Sequence, residues 1–215
     1  MKLGAHRALF AAGLAVVTLL SGKVSAYVLS GVSWPDRPVP YSINTTNMDL
    51  PDAAVETAMQ AGANVWSQQT NASVGFTYTG RSAQTTTGND GLNLVVFRNA
   101  ASGSAIATTY WWSQGSAIVD ADVIFWDGAF QFFAGATGCV NGFYIEDIAA
   151  HEFGHVLGLG HSTVATATMY PSVSPCNMSN RTLDPDDIAG ITALYPPMTL
   201  PTAPTRVRII GPALH

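Results

Sequence analysis

The chain is 215 residues long, 47 % hydrophobic and 11 % charged, with a formal net charge of −5. An acidic balance of this kind repels nucleic acid and anionic membranes, so neither is an expected partner. The length allows one domain with a substantial core.

Residues 1–26 read as a secretory signal: Lys2 and Arg7, an apolar run from Ala8 to Leu20, and an end at Val24-Ser25-Ala26 with small residues at the −1 and −3 positions. Lys23, close to that cut, keeps an uncleaved anchor as the competing reading. Cleavage after Ala26 removes Lys2, Arg7 and Lys23 but no acid, taking the charge from −5 to −8 and leaving no lysine. No other stretch is long enough to span a bilayer, so the expectation is a secreted, monomeric mature chain without membrane insertion. Cys139 and Cys176 are the only cysteines. In an oxidising compartment the pair is most simply a disulfide, with metal ligation by the thiols as the rival. Such a bridge would tie together the segments flanking residues 144–171, with a loop-closure stabilisation of about 3–4 kcal/mol.

In chain order, a strand is expected around Pro40–Asn44. From Pro51 to Thr70, Val55, Ala58, Met59, Gly62, Val65 and Trp66 recur at helical spacing. Val74–Thr79 and Leu92–Phe97 read as strands, rich in β-branched and aromatic residues, with a polar loop Gly80–Gly91 between them. Ala105–Trp112 and Ala117–Trp126 are two more strands, joined by a turn at Ser113-Gln114-Gly115. Helices follow over Tyr144–Gly158 and Asp184–Tyr195. Glu146 and Asp147 sit near the positive end of the first of these. Residues 197–215 form a Pro/Thr-rich tail, read as a loose terminus or linker. Asn44, Asn71, Asn177 and Asn180 each begin an N-x-S/T sequon.

The helix at 144–158 carries His151-Glu152-Phe153-Gly154-His155-Val156-Leu157-Gly158-Leu159-Gly160-His161. Four residues apart on a helix, His151 and His155 project from one face and can chelate one Zn²⁺. Glu152 between them can reach a water at the metal's open position and act as general base. Gly158 permits a positive-φ exit from the helix, returning His161 as third ligand. The remaining histidines, His6 and His215, lie at the ends of the chain. The competing reading is three ordinary histidines on a helix. Eight residues past His161 comes Met169, in Thr168-Met169-Tyr170-Pro171.

H-E-x-x-H-x-x-G-x-x-H followed by a Met-turn is the metzincin pattern, and His161-Ser162 with Met169-Tyr170-Pro171 resembles the matrixins among them. The flanks, Trp34 to Thr79 and Leu183 to Ile191, look similar too, so the resemblance covers about residues 34–196. It implies an α+β zincin fold: a twisted, mostly parallel mixed β-sheet with an active-site helix, a Met-turn and a C-terminal helix. It also implies a secreted zinc endopeptidase over residues 27–196, acting on protein or peptide. Glu152 would be the catalytic base, His151, His155 and His161 the ligands, and Met169 an apolar floor beneath the imidazoles. Ala107, on a strand pairing with extended substrate, and Pro171 with Val173 would wall the pocket for the residue after the scissile bond. Asp147 would either orient His151 or stabilise the helix N-terminus.

Departures from the matrixin pattern shape the expectations. No Cys precedes position 139 and no His lies between positions 6 and 151. The expected form is therefore short and microbial in type, without a cysteine-switch propeptide, and holds one zinc. Calcium is a candidate through Asp90, Asp120, Asp122 and Asp127, against a turn or solvated-face role for each. A non-catalytic zinc-bearing protein of the same fold is the alternative to a peptidase; a metallohydrolase of non-peptide amides is weaker still.

Overall fold

The computed structural model describes residues 26–198. The signal-peptide reading, apart from Ala26, and residues 199–215 of the tail lie outside the described residues. The elements run β1 (Val39–Ile43), α1 (Asp52–Ser67), β2 (Phe76–Arg81), β3 (Leu94–Phe97), β4 (Ala107–Gln114), β5 (Ala117–Phe125), β6 (Phe132–Phe133), β7 (Phe143–Tyr144), α2 (Ile145–Val156) and α3 (Pro185–Leu194), with a 3₁₀ turn at Ser179–Arg181 before α3.

Five strands form one sheet in the order β2-β1-β3-β5-β4. The pairs β1–β2, β1–β3 and β3–β5 are parallel, and β4 runs antiparallel to β5 at the edge. The mixed, mostly parallel sheet expected from the sequence is the one observed. β6 and β7 make a separate parallel pair just before α2.

β2 starts two residues later than its sequence pattern suggests and runs through Gly80, expected to open a loop. Gly80 takes φ +113°, and the β1–β2 register shifts between Tyr41 and Ile43. Two residues of β2 there oppose one of β1, a bulge that glycine accommodates. α1 ends at Ser67 rather than near Thr70, and the Ser67 hydroxyl accepts from the Phe76 N–H at 2.9 Å. Helix end and strand start are thus fixed by the same side chain.

The core lies between the sheet and α2. Tyr41, Phe76 and Phe153 pack edge to face, with centroids 4.7–5.9 Å apart. Beside it, α1 approaches α2 closely at Gly62. A Cβ there would come within 2.6 Å of Ala149 Cβ and 2.8 Å of the Ala150 nitrogen. Three buried polar tips anchor the last turns of α2: Trp66 Nε1 donates to the Ala150 carbonyl (2.7 Å), Trp34 Nε1 to Val156 (2.8 Å) and Tyr195 Oη to Leu157 (2.7 Å). α3 starts with a capping box made by Asp184 and Asp187. Cys139 and Cys176 form a disulfide with a Cα–Cα distance of 5.6 Å. It joins the segment before α2 to the one after Met169. Among the described residues no helix is long and apolar enough to cross a membrane.

Candidate metal centre and substrate cleft

α2 presents His151 and His155 on one face, and the chain leaves it through Gly158 at φ +94°. A Cβ at Gly158 would collide with the Val32 carbonyl oxygen; only glycine fits both the angle and the space. The exit returns His161 to the pair. His155 Nε2 lies 3.1 Å from His151 Nε2 and 3.1 Å from His161 Nε2. Among the described residues these three form the only group of His, Cys, Asp or Glu ligand atoms close enough to share an ion.

The far ring nitrogens decide the protonation. His151 Nδ1 donates to the Thr168 carbonyl at 2.7 Å, and His155 Nδ1 to the Leu159 carbonyl at 2.8 Å. Burial lowers both pKa values to about 4. Both rings are therefore neutral at pH 7, with Nε2 lone pairs pointing at each other. Two acceptors at 3.1 Å repel unless a cation lies between them. Tetrahedral zinc with N–Zn bonds near 2.05 Å would set such nitrogens about 3.3 Å apart. The donor set therefore fits zinc, on chemistry as well as spacing.

Glu152 is 6 % exposed and faces the edge strand. Burial raises its pKa, opposed by His155, the Thr109 hydrogen bond and His161. The Thr109 hydroxyl, on β4, donates to Glu152 Oε2 at 2.6 Å. The sequence reading missed Thr109: the contact spans 43 residues, and no local pattern announces it.

Met169 is buried and abuts the middle of α2, where a Cβ on Gly154 would run into its sulfur. The turn is clamped by Asp187, whose carboxylate accepts from the Thr168 N–H (2.7 Å) and the Met169 N–H (3.1 Å). That clamp presents the Thr168 carbonyl to His151. Asp147 does not orient His151. It is buried at the start of α2 and accepts from Arg181 Nε (2.8 Å) and the Asn180 N–H (3.1 Å), so it anchors the 3₁₀ turn. Arg181 also pairs with Glu146 at 3.1 Å.

A cleft of about 660 Å³ opens in front of the histidines, and Ala107, Pro171 and Val173 all line it. The four candidate calcium aspartates do not converge on one point. Asp120 accepts from the Asp90 and Gly91 N–H groups (2.6 and 2.7 Å) and Asp122 from those of Gly88 and Leu94 (2.8 and 3.0 Å). Asp127 accepts from Met48 N–H at 2.6 Å, and Asp90 from Gln84 and Leu92. Asp120 and Asp127 each retain one buried Oδ1 without a partner. Of the sequon asparagines, Asn71 is exposed while Asn44 and Asn180 are buried.

Comparison with known proteins agrees with this architecture. The family described as Matrixin, of the M10 peptidases, matches residues 33–196. Matrix metalloproteinase-18 of Xenopus laevis is 30 % identical over 188 residues, covering 83 % of this chain and 36 % of that protein. The hatching enzyme of Paracentrotus lividus is 32 % identical over 185 residues, 80 % of this chain and 28 % of its own. Human matrix metalloproteinase-20 is 49 % identical over a shorter stretch of 71 residues, 30 % of this chain and 15 % of that protein. The match thus spans about a third or less of each relative's length. With its zincin fold, its three-histidine cluster and a family match over nearly all described residues, the chain belongs to the matrixins.

Proposed function

We propose that this chain is a secreted zinc-dependent endopeptidase, with His151, His155 and His161 holding one Zn²⁺ and Glu152 as general base. The observation that carries the reading is the convergence of three Nε2 atoms beside a buried carboxylate at the mouth of a cleft. When bound, the metal supplies Lewis acidity, which lowers the pKa of water and stabilises charge on the attacked carbonyl. Glu152 takes the proton of the attacking water and delivers it to the departing amine. The Thr109 hydroxyl holds Glu152 Oε2 facing the cleft. The outer edge of β4, unpaired among the described residues, offers backbone groups to an extended peptide, as in strand addition. Ala107 on one side and Pro171 with Val173 on the other enclose the side chain that follows the scissile bond. Met169 supports the helix that carries the ligands. Export rests on the signal-like residues 1–26.

Glu152→Ala tests the assignment. Zinc content should stay at one per chain while peptide hydrolysis falls by about 10²–10⁴-fold. A wild-type protein that holds zinc yet cleaves no member of a peptide library would instead be a binding protein of this fold.

A further inference from the structure

Among the residues that line the cleft are the buried or half-buried apolar Phe130, Phe143 and Ile148, and with them the buried polar Asn180. Asn180 is 8 % exposed. Its backbone N–H donates to Asp147 and its Oδ1 accepts from Ser179 Oγ at 3.3 Å. The Nδ2 hydrogens have no partner among the described residues. An amide at this place loses its solvent partners when a substrate side chain enters the cleft, and only a side chain with a hydrogen-bonding tip replaces them.

Resting on the peptidase reading above, we propose that Asn180 recognises the tip of the substrate side chain after the scissile bond. It selects a chain that is apolar along its stem and ends in a hydrogen-bonding group, tyrosine foremost. The helix sets the depth. Ile148 lies four residues before Glu152, about 6 Å back along α2 at 1.5 Å per residue, and Asn180 is fastened at that level by Asp147. A side chain entering beside Glu152 passes Ile148 and the two phenylalanines before meeting the amide, which is about the reach of a tyrosine from Cα to hydroxyl. The amide can donate to a phenol through Nδ2 or, turned over, accept through Oδ1, with the Ser179 hydroxyl rotating to suit. Among the described residues an acidic tip finds no free cation at Asn180, because Arg181 is engaged by Glu146 and Asp147. Leucine or phenylalanine fills the stem but leaves the amide unpaired.

The test uses the zinc-loaded protein and peptides identical except for Tyr, O-methyl-Tyr, Phe or Glu after the cut. For the wild type, kcat/KM should be about tenfold higher for Tyr than for Phe, with Glu lowest. In Asn180→Leu the Tyr-to-Phe ratio should fall to near one. Equal Tyr and Phe values in the wild type, or an unchanged ratio in Asn180→Leu, would overturn the assignment and leave the peptidase reading standing. Cleavage of no peptide would overturn both. If Asn180→Leu fails to fold, the wild-type series decides alone: O-methyl-Tyr should fall below Tyr, and its equality with Tyr would refute the hydrogen bond.

Discussion

Each imidazole of the helical pair is held by a backbone carbonyl on its far nitrogen, and the Glu152 carboxylate, the proposed base, is held by a hydroxyl from another element. The first arrangement fixes tautomers, so that lone pairs rather than protons face the metal position. The second fixes direction: with Thr109 Oγ1 at 2.6 Å, Glu152 Oε2 faces the cleft instead of folding back. Thr109→Val keeps the shape and removes the donor. It should lower kcat by about three- to thirtyfold at unchanged zinc content, measured by steady-state kinetics beside metal analysis; an unchanged kcat would remove Thr109 from the mechanism. The three-histidine cluster was legible in the sequence because a helix converts spacing of four into a shared face. Thr109, the Thr168 carbonyl and the Asp187 clamp were not, since each joins elements distant in the chain.

At the scale of elements, α2 is held where two glycines allow close approach. Gly62 admits α1, and Gly154 admits Met169 and Trp66. A methyl group at Gly154 would lie 2.7 Å from Trp66 Cζ2 as well as against the Met169 sulfur. Gly154→Ala should therefore cost about 1–3 kcal/mol by overpacking, read as a lowered melting temperature. A neutral result would mean the Met-turn yields without cost. Element types and order followed from periodicity, which strands of four or more residues and helices of ten or more express. β6 and β7, two residues each, are too short to carry a period. The bulge at Gly80 is not legible in the sequence, because a glycine in polar surroundings signals a turn as well as it signals a bulge.

Across the whole molecule, the long segment between β2 and β3 is fastened to the sheet by buried carboxylates of β5. Asp122 is 1 % exposed, and burial, opposed by the Gly88 and Leu94 N–H groups, raises its pKa from 3.8 to about 6. A carboxyl raised in the folded state binds its proton there before the unfolded chain does. Its contribution therefore favours the fold at acid pH and weakens as pH rises from about 4 to about 6, by up to about 3 kcal/mol. Asp122→Asn removes that titration, so its stability should improve relative to wild type across this window in denaturant titrations. Parallel pH profiles for the two proteins would contradict the assignment. The sequence marked these aspartates as candidates for calcium without showing that their oxygens face loop N–H groups, a relation only the folded chain creates.

The most direct measurement is metal content and peptide hydrolysis, followed through chelation and readdition of zinc. The account predicts one zinc per chain, activity lost with the metal and restored by one equivalent, and no restoration in Glu152→Ala. A chelated, zinc-free protein that still hydrolyses peptides would contradict it.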